Sequence, residues 1–217
     1  EAISAQINEK TKVIFVCSPN NPSGNAIPLW QIEALLKRFK GLVVVDEAYV
    51  DFSEQNSASS LLKIYPKLMI CQTLSKAYGM AGIRLGIGFA DPEMIYFFNK
   101  IKPPYNVNIL TQKRALASLD ASSDVVELQV KELIAERQNM EKALSNFSFV
   151  KKIFPSNANF LLIRVDDADK RYKQLIENDI VVRNRSSLIG CENSLRVTIG
   201  TPKENIKFMN VCKSIDQ

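Results

Sequence analysis

No histidine occurs anywhere in the 217 residues. That absence removes Ser-His-Asp chemistry, histidine general acid–base catalysis and histidine-ligated zinc from this chain. Any proton shuttle is left to Lys, Tyr, Cys, Asp or Glu. Cysteine is sparse: Cys17, Cys71, Cys191 and Cys212 lie far apart, with neither the density of a disulfide framework nor Cys-x-x-Cys spacing. Reduced thiols are therefore expected, and no metal site. No apolar run approaches the ~20 residues of a membrane span, and the opening EAISAQINEK lacks the charged-then-apolar plan of a signal peptide. A cytoplasmic protein with no membrane partner is expected. Internal repeats, low-complexity segments and long basic tracts are missing too. The formal charge is only +5, with 12 basic against 8 acidic residues from position 151 onward. This argues against a nucleic-acid partner and leaves room for a small anionic one.

With 46% hydrophobic and 24% charged residues, the chain has the composition of a globular protein with one large core or two smaller ones. Strand-like runs KVIFVC, GLVVVDEAY, KLMICQT and RLGIGFA alternate in part with helical patterns such as IPLWQIEALLKRF. That is the grammar of an α/β, mostly parallel sheet, and its nearly all-apolar strands read as covered on both faces. DPEMIYFFNKI and SSDVVELQVKELIAERQNMEKALSNF read as helices. After about residue 148 the pattern shifts to the short strands FVKKIFP, ANFLLIRV, DIVVRNR and SLRVTIG with two helices, a small α+β domain. The last helix opens on Thr201, Pro202 and Glu204, the residues of a capping box with a first-turn proline. The expected division is a large domain over 1–120, a bridging helix over 121–148 and a small domain over 149–217. The chain begins without methionine and soon enters a strand-like run, so a fragment or processed chain is expected.

Polar residues collect where these strands end. SPNNPSG follows the first, DEAY ends the second, and TLSKAYGMAGIRLG joins the third to the fourth. Each has an ordinary reading alone: a turn, a cap, a solvated loop charge. Ligands of open α/β sheets bind beyond the carboxyl ends of the strands, so the three segments together mark a candidate pocket containing Lys76 and Arg84.

In this order and spacing, SPNNPSG, VVVDEAY and TLSKAYGMAGIRLG resemble the cofactor-binding motifs of fold-type I pyridoxal-phosphate aminotransferases. VDEAYVDFS, VVRNRS and LRVTIGT are similar to its histidinol-phosphate branch. The resemblance runs through nearly the whole chain. It implies a partial pyridoxal-phosphate-binding large domain of fold type I followed by the small α+β domain. It implies pyridoxal 5'-phosphate as cofactor, with Lys76 as the lysine that binds it covalently and moves the substrate proton. Asp46 matches the carboxylate that keeps the pyridine nitrogen protonated. Asn21 and Tyr49 match the pair on the ring's phenolic oxygen, and Thr73, Ser75 and Arg84 the phosphate contacts. Arg183 and Arg196, with Asn21, match groups on the substrate's anionic side. Tyr105 lines the cleft or is a surface aromatic. The implied reaction is transamination of L-histidinol phosphate with 2-oxoglutarate by a homodimer. An aromatic aminotransferase, a threonine-phosphate decarboxylase or an inactive folded scaffold are the alternatives. Complete members carry a further amino-terminal part that supplies a ring-stacking aromatic, more phosphate donors and a tyrosine reaching the partner's site.

Overall fold

The apolar run VIFVC forms strand β1 (Val13–Cys17), preceded by a single helical turn, α1 (Ala2–Ala5). These belong to a computed structural model that describes residues 2–121 and 123–216. Helix α2 (Leu29–Arg38) follows because Ile32, Leu35 and Leu36 recur at helical spacing and bury one face, while Lys37 and Arg38 sit in the last turn, where cations suit the helix dipole. It leads into β2 (Leu42–Asp46). Two short 3₁₀ turns, Val50–Phe52 and Ala58–Leu61, bury Phe52, Ala58 and Leu61 on the way to β3 (Leu68–Thr73). Strand β4 (Gly86–Ala90) follows after a third 3₁₀ turn at Ala81–Ile83.

The sheet order is β1-β2-β3-β4, with the first three strands parallel and β4 antiparallel to β3. The register pairs Ile14 with Val43 and Val16 with Val45, and sets Leu68 and Ile70 beside those valines. One face is thereby a continuous apolar core against α2, in which Val43, Val45, Leu68 and Ile70 are fully buried. Each such side chain contributes about 1.5–3 kcal/mol by leaving water. The opposite face carries Val13 and Phe15, which are 41% and 73% exposed. On that face Val44, the register partner of Phe15, is buried at 5% exposure, so the expected cover on both faces is complete on one and partial on the other. Helix α3 (Pro92–Ile101) is capped by Asp91, whose carboxylate accepts from the Glu93 amide. Helix α4 (Ile109–Ala121) precedes the long α5 (Ser123–Leu144).

The chain divides into two compact units: Glu1–Pro19 with Ala26–Val126, and Asn20–Asn25 with Glu127–Gln217. The division falls inside α5, and the short loop 20–25 groups with the carboxyl-terminal half.

The second unit adds β5 (Val150–Ile153), β6 (Phe160–Val165), α6 (Ala168–Glu177), β7 (Arg183–Asn184), β8 (Ser194–Thr198) and α7 (Pro202–Ile215). Its sheet is antiparallel in the order β5-β6-β8-β7. Leu161, Ile163, Val165, Leu195 and Val197 project from one face onto Met140 and Leu144 of α5, Leu175 of α6 and Phe208 and Cys212 of α7. Burial pushes the Cys212 thiol up to about 12. The capping box on α7 is formed as expected: Thr201 Oγ1 accepts from the Glu204 amide, and Glu204 accepts from the Thr201 amide at 2.8 Å. A bidentate pair joins Asp166 to the buried Arg171, with 2.9 and 2.7 Å contacts. Arg171 also donates to the Ile215 carbonyl.

Candidate active site

Residues 74–85 leave the sheet at Thr73 and return at Gly86, and these two residues are paired partners across β3 and β4. The intervening loop is tied internally. The Met80 amide donates to the Leu74 carbonyl at 3.0 Å, and the Gly79 amide to the Lys76 carbonyl at 3.1 Å. Gly79 has φ +63°, a left-handed turn position that a glycine adopts without a steric penalty. Leu74 and Met80 are buried against Ala115 of α4, with Tyr78, Ile83 and Leu85 packed around them. Thr111 of α4 donates to the Ile83 carbonyl at 3.3 Å. The loop is thus a fixed platform, and Lys76 stands exposed on it.

Lys76 Nζ lies 5.2 Å from the centre of the buried Tyr49 ring, a cation–π contact. Thr73 Oγ1 donates to the Leu85 carbonyl at 3.2 Å and shares a hydrogen bond with the Ser75 hydroxyl at 2.9 Å, while the Ser75 amide donates to Thr73 Oγ1 at 3.2 Å. Arg84 is exposed, donates from Nη1 to the Ala81 carbonyl at 2.9 Å, and adopts φ 55°. A non-glycine residue there carries backbone strain.

Asp46 ends β2 in register with Cys17 on β1 and Cys71 on β3. The pleat sets Cys17, Asp46, Cys71 and Thr73 on the face opposite the apolar core. Asp46 Oδ1 accepts from the Ala48 amide at 3.0 Å. Burial, then the charge of Asp46, push both thiols up, which keeps them protonated and weakly nucleophilic near neutral pH.

Glu47, next in the chain, is 3% exposed and was not singled out in the sequence. Its carboxylate accepts from Ser57 Oγ at 2.7 Å, the Ala58 amide at 2.7 Å and Gln72 Nε2 at 2.8 Å. It ties the end of β2 to the 57–58 turn and to β3 one residue before Thr73. Its only sequence signal is that it is the second of two carboxylates after the four apolar residues of β2, the first being Asp46.

Six predicted residues, Asp46, Tyr49, Thr73, Ser75, Lys76 and Arg84, fall in the first unit at the carboxyl ends of β2 and β3 and in the loop after β3. Tyr105, also in that unit, is 93% exposed. Asn21, Arg183 and Arg196 fall in the second unit. There Arg196 Nη1 donates to Asn21 Oδ1 at 2.7 Å, and its guanidinium lies 5.1 Å from the Phe160 ring centre. Arg183 is exposed and stands opposite Arg196 across β7 and β8. The loop holding Asn21 is drawn in at Gly24, whose φ of +82° and close approach to Ser156 exclude a side chain.

Residues 1–213 match the family described as Aminotransferase class I and II. The chain is 53% identical to a histidinol-phosphate aminotransferase of Flavobacterium psychrophilum over 98% of its own length and 61% of that relative. It is likewise 53% identical to one of Christiangramia forsetii over 99% of its length and 61% of that relative. Among solved structures it resembles the histidinol-phosphate aminotransferase of Clostridium acetobutylicum, with a TM-score of 0.89 and 28% identity, over 96% of this chain and 65% of that one. The chain thus spans about three-fifths of the length of the curated relatives it matches. On the match over residues 1–213, this chain belongs to the class I and II aminotransferase family.

Proposed function

We infer that the protein is a pyridoxal-phosphate-dependent aminotransferase that exchanges an amino group between L-histidinol phosphate and 2-oxoglutarate, a step of histidine biosynthesis. The observation that carries this reading is the loop from Thr73 to Gly86, which sets one exposed lysine, two hydroxyls and one exposed arginine on a fixed platform beside Asp46. That donor set fits an aromatic aldehyde with a phosphate arm. An amine suits the aldehyde, a carboxylate the ring nitrogen, and two hydroxyls with a guanidinium suit the phosphate dianion. The names of the relatives supply the substrate.

The bound cofactor supplies an electron sink for charge developing at the substrate's α carbon. The rest falls to the chain. Lys76 would hold the cofactor through its amine and, once freed, would move the proton from the substrate's α carbon to the cofactor's former aldehyde carbon. Asp46 would hold positive charge at the ring nitrogen. Tyr49, whose ring lies against the Lys76 ammonium, would offer its hydroxyl to the ring oxygen, with Asn21 as the second donor. Thr73, Ser75 and Arg84 would hold the phosphate, and Arg183 and Arg196 would grip the substrate's anionic tail. The reading carries with it a homodimer in the cytoplasm. Exposed large apolar side chains on α3 and α4, among them Tyr96, Phe97, Ile101, Leu110 and Leu116, support the association of two copies.

The test is to add pyridoxal phosphate to the full-length protein, reduce with borohydride, map the labelled peptide, and assay glutamate formation from histidinol phosphate and 2-oxoglutarate. A label on Lys76 with turnover is expected. A label elsewhere removes the site assignment. A label on Lys76 with carbon dioxide release from threonine phosphate moves the protein to a decarboxylase.

A further inference from the structure

The strand pair β7–β8 brings cations together in a way that sheets ordinarily avoid. Arg183 is the register partner of Arg196, and Asn184 the partner of Leu195. The ladder continues one step further, where the Arg185 amide donates to the Ser194 carbonyl at 2.8 Å. Because the pleat alternates, Arg183, Arg185 and Arg196 share one face, while Leu195 and Val197 point to the core on the other. Like charges directly opposite destabilise a sheet. Asp169 accepts from Asn184 Nδ2 at 2.6 Å. Among the described residues no carboxylate pairs with Arg183 or Arg185.

Arg185 is half-buried, and its Nε is buried with no hydrogen-bond partner; the Ser186 hydroxyl beside it is buried and unpartnered too. Buried donors of this kind are costly, more so on a charged group. The turn that holds them is well made: the Ser186 amide donates to Asn184 Oδ1 at 2.9 Å, and the Leu188 amide to the Arg185 carbonyl at 2.9 Å. The unmet donors are therefore not the product of a loose loop. An anion on this face satisfies them and relieves the repulsion together.

We propose that Arg185 and Ser186 are further substrate-holding residues, which together with Arg183 and Arg196 make this face a seat for a dianionic phosphate monoester. A carboxylate has one charge and two oxygens, which a single guanidinium satisfies. A phosphate monoester has close to two charges and three terminal oxygens, and it matches several guanidiniums and a hydroxyl. Arg185 contributes charge and its Nε–H; Ser186 contributes one hydroxyl proton. The assignment rests on the function proposed above, since it supplies the reason that function takes a phosphorylated amine.

The test compares kcat/KM for histidinol phosphate with that for histidinol in full-length wild type, Arg185→Met, Arg185→Lys and Ser186→Ala. Inorganic phosphate binding is measured by calorimetry on each. The preference for the ester is expected to fall by about tenfold or more in Arg185→Met, through KM rather than kcat. Arg185→Lys recovers part of it, and Ser186→Ala loses less. Phosphate affinity follows the same order. If wild type prefers the ester and Arg185→Met and Arg185→Lys keep that preference and the phosphate affinity, this assignment is overturned and the proposed function stands. If wild type shows no preference, both fall. Should Arg185→Met not fold, an Arg185→Lys protein indistinguishable from wild type in both measurements overturns the assignment by itself, because a lysine cannot reproduce the guanidinium's fork.

Discussion

The ammonium of Lys76 sits 5.2 Å from the centre of the Tyr49 ring, and Tyr49 is buried while Lys76 is exposed. The buried ring lies against this exposed ammonium and limits where its charge rests. Replacing Lys76 should therefore remove chemistry and spare the fold. In Lys76→Ala the borohydride-dependent label and transamination should both vanish, with a melting temperature close to wild type. A label persisting on the loop peptide would show that the wrong residue has been assigned.

Glu47 is the structural counterpart of that exposed lysine. Its buried carboxylate satisfies three donors from two segments, the 57–58 turn and β3. Glu47→Ala strands those donors and should destabilise the first unit by roughly 3 kcal/mol or more, whereas Glu47→Gln should cost less. Urea unfolding of the two variants checks this. Equal midpoints for wild type and Glu47→Ala would mean that the tie is not needed.

Arg84 combines an exposed guanidinium with a left-handed backbone. Glycine at this position relieves a strain of about 1 kcal/mol while removing the proposed phosphate grip. Arg84→Gly is thus expected to unfold no more easily than wild type yet to bind pyridoxal phosphate at least about tenfold more weakly. Titration by absorbance beside a thermal melt separates the two effects. Unchanged affinity would remove Arg84 from the phosphate site.

The Asp166–Arg171 pair sets an acid limit on the second unit. The hydrogen bonds from Arg171 hold the Asp166 carboxyl at about 2, below its ordinary value. A carboxyl depressed on folding contributes stability in full above its unfolded value, near 4, and loses it as the pH falls toward about 2. Asp166 is about one-third exposed, so solvent screening reduces the contribution to roughly 1 kcal/mol. Asp166→Asn should lower stability at neutral pH by that amount and flatten its decline between about pH 4 and 2. Identical acid profiles for variant and wild type would contradict this origin.

The sequence made the strands of both sheets legible, as well as the long α5 and the capped start of α7, because pleat alternation, helical spacing and cap chemistry are local. It did not show α4. There Ile109, Leu110, Leu116 and Leu119 are exposed and the buried pair is Thr111 and Ala115, so the packed face is polar and small rather than greasy. A usable signal existed: Asn108 accepts from the Thr111 amide as an N-cap. β7 is shorter than the run DIVVRNR suggested because Val181 at this edge is 75% exposed and pairs with nothing among the described residues. The placement of the six first-unit candidates at strand ends and in the loop after β3 was readable from the apolar runs that precede them. The Asn21–Arg196 contact was not, since it joins positions 175 apart, and neither was the role of Glu47, which depends on partners 10 to 25 residues further along the chain.

The pairing of Thr73 with Gly86 also has a mechanical side. Lys76 and Arg84 ride on a body anchored at two adjacent points, stiffened by its own hydrogen bonds and by the small apolar cluster beneath it. When such a body tilts, it pivots about its base as a lever does, and everything mounted on it swings the same way. The separation of the lysine from the arginine is then conserved through thermal motion. A molecule held at one end by each travels with the loop and is neither stretched nor released.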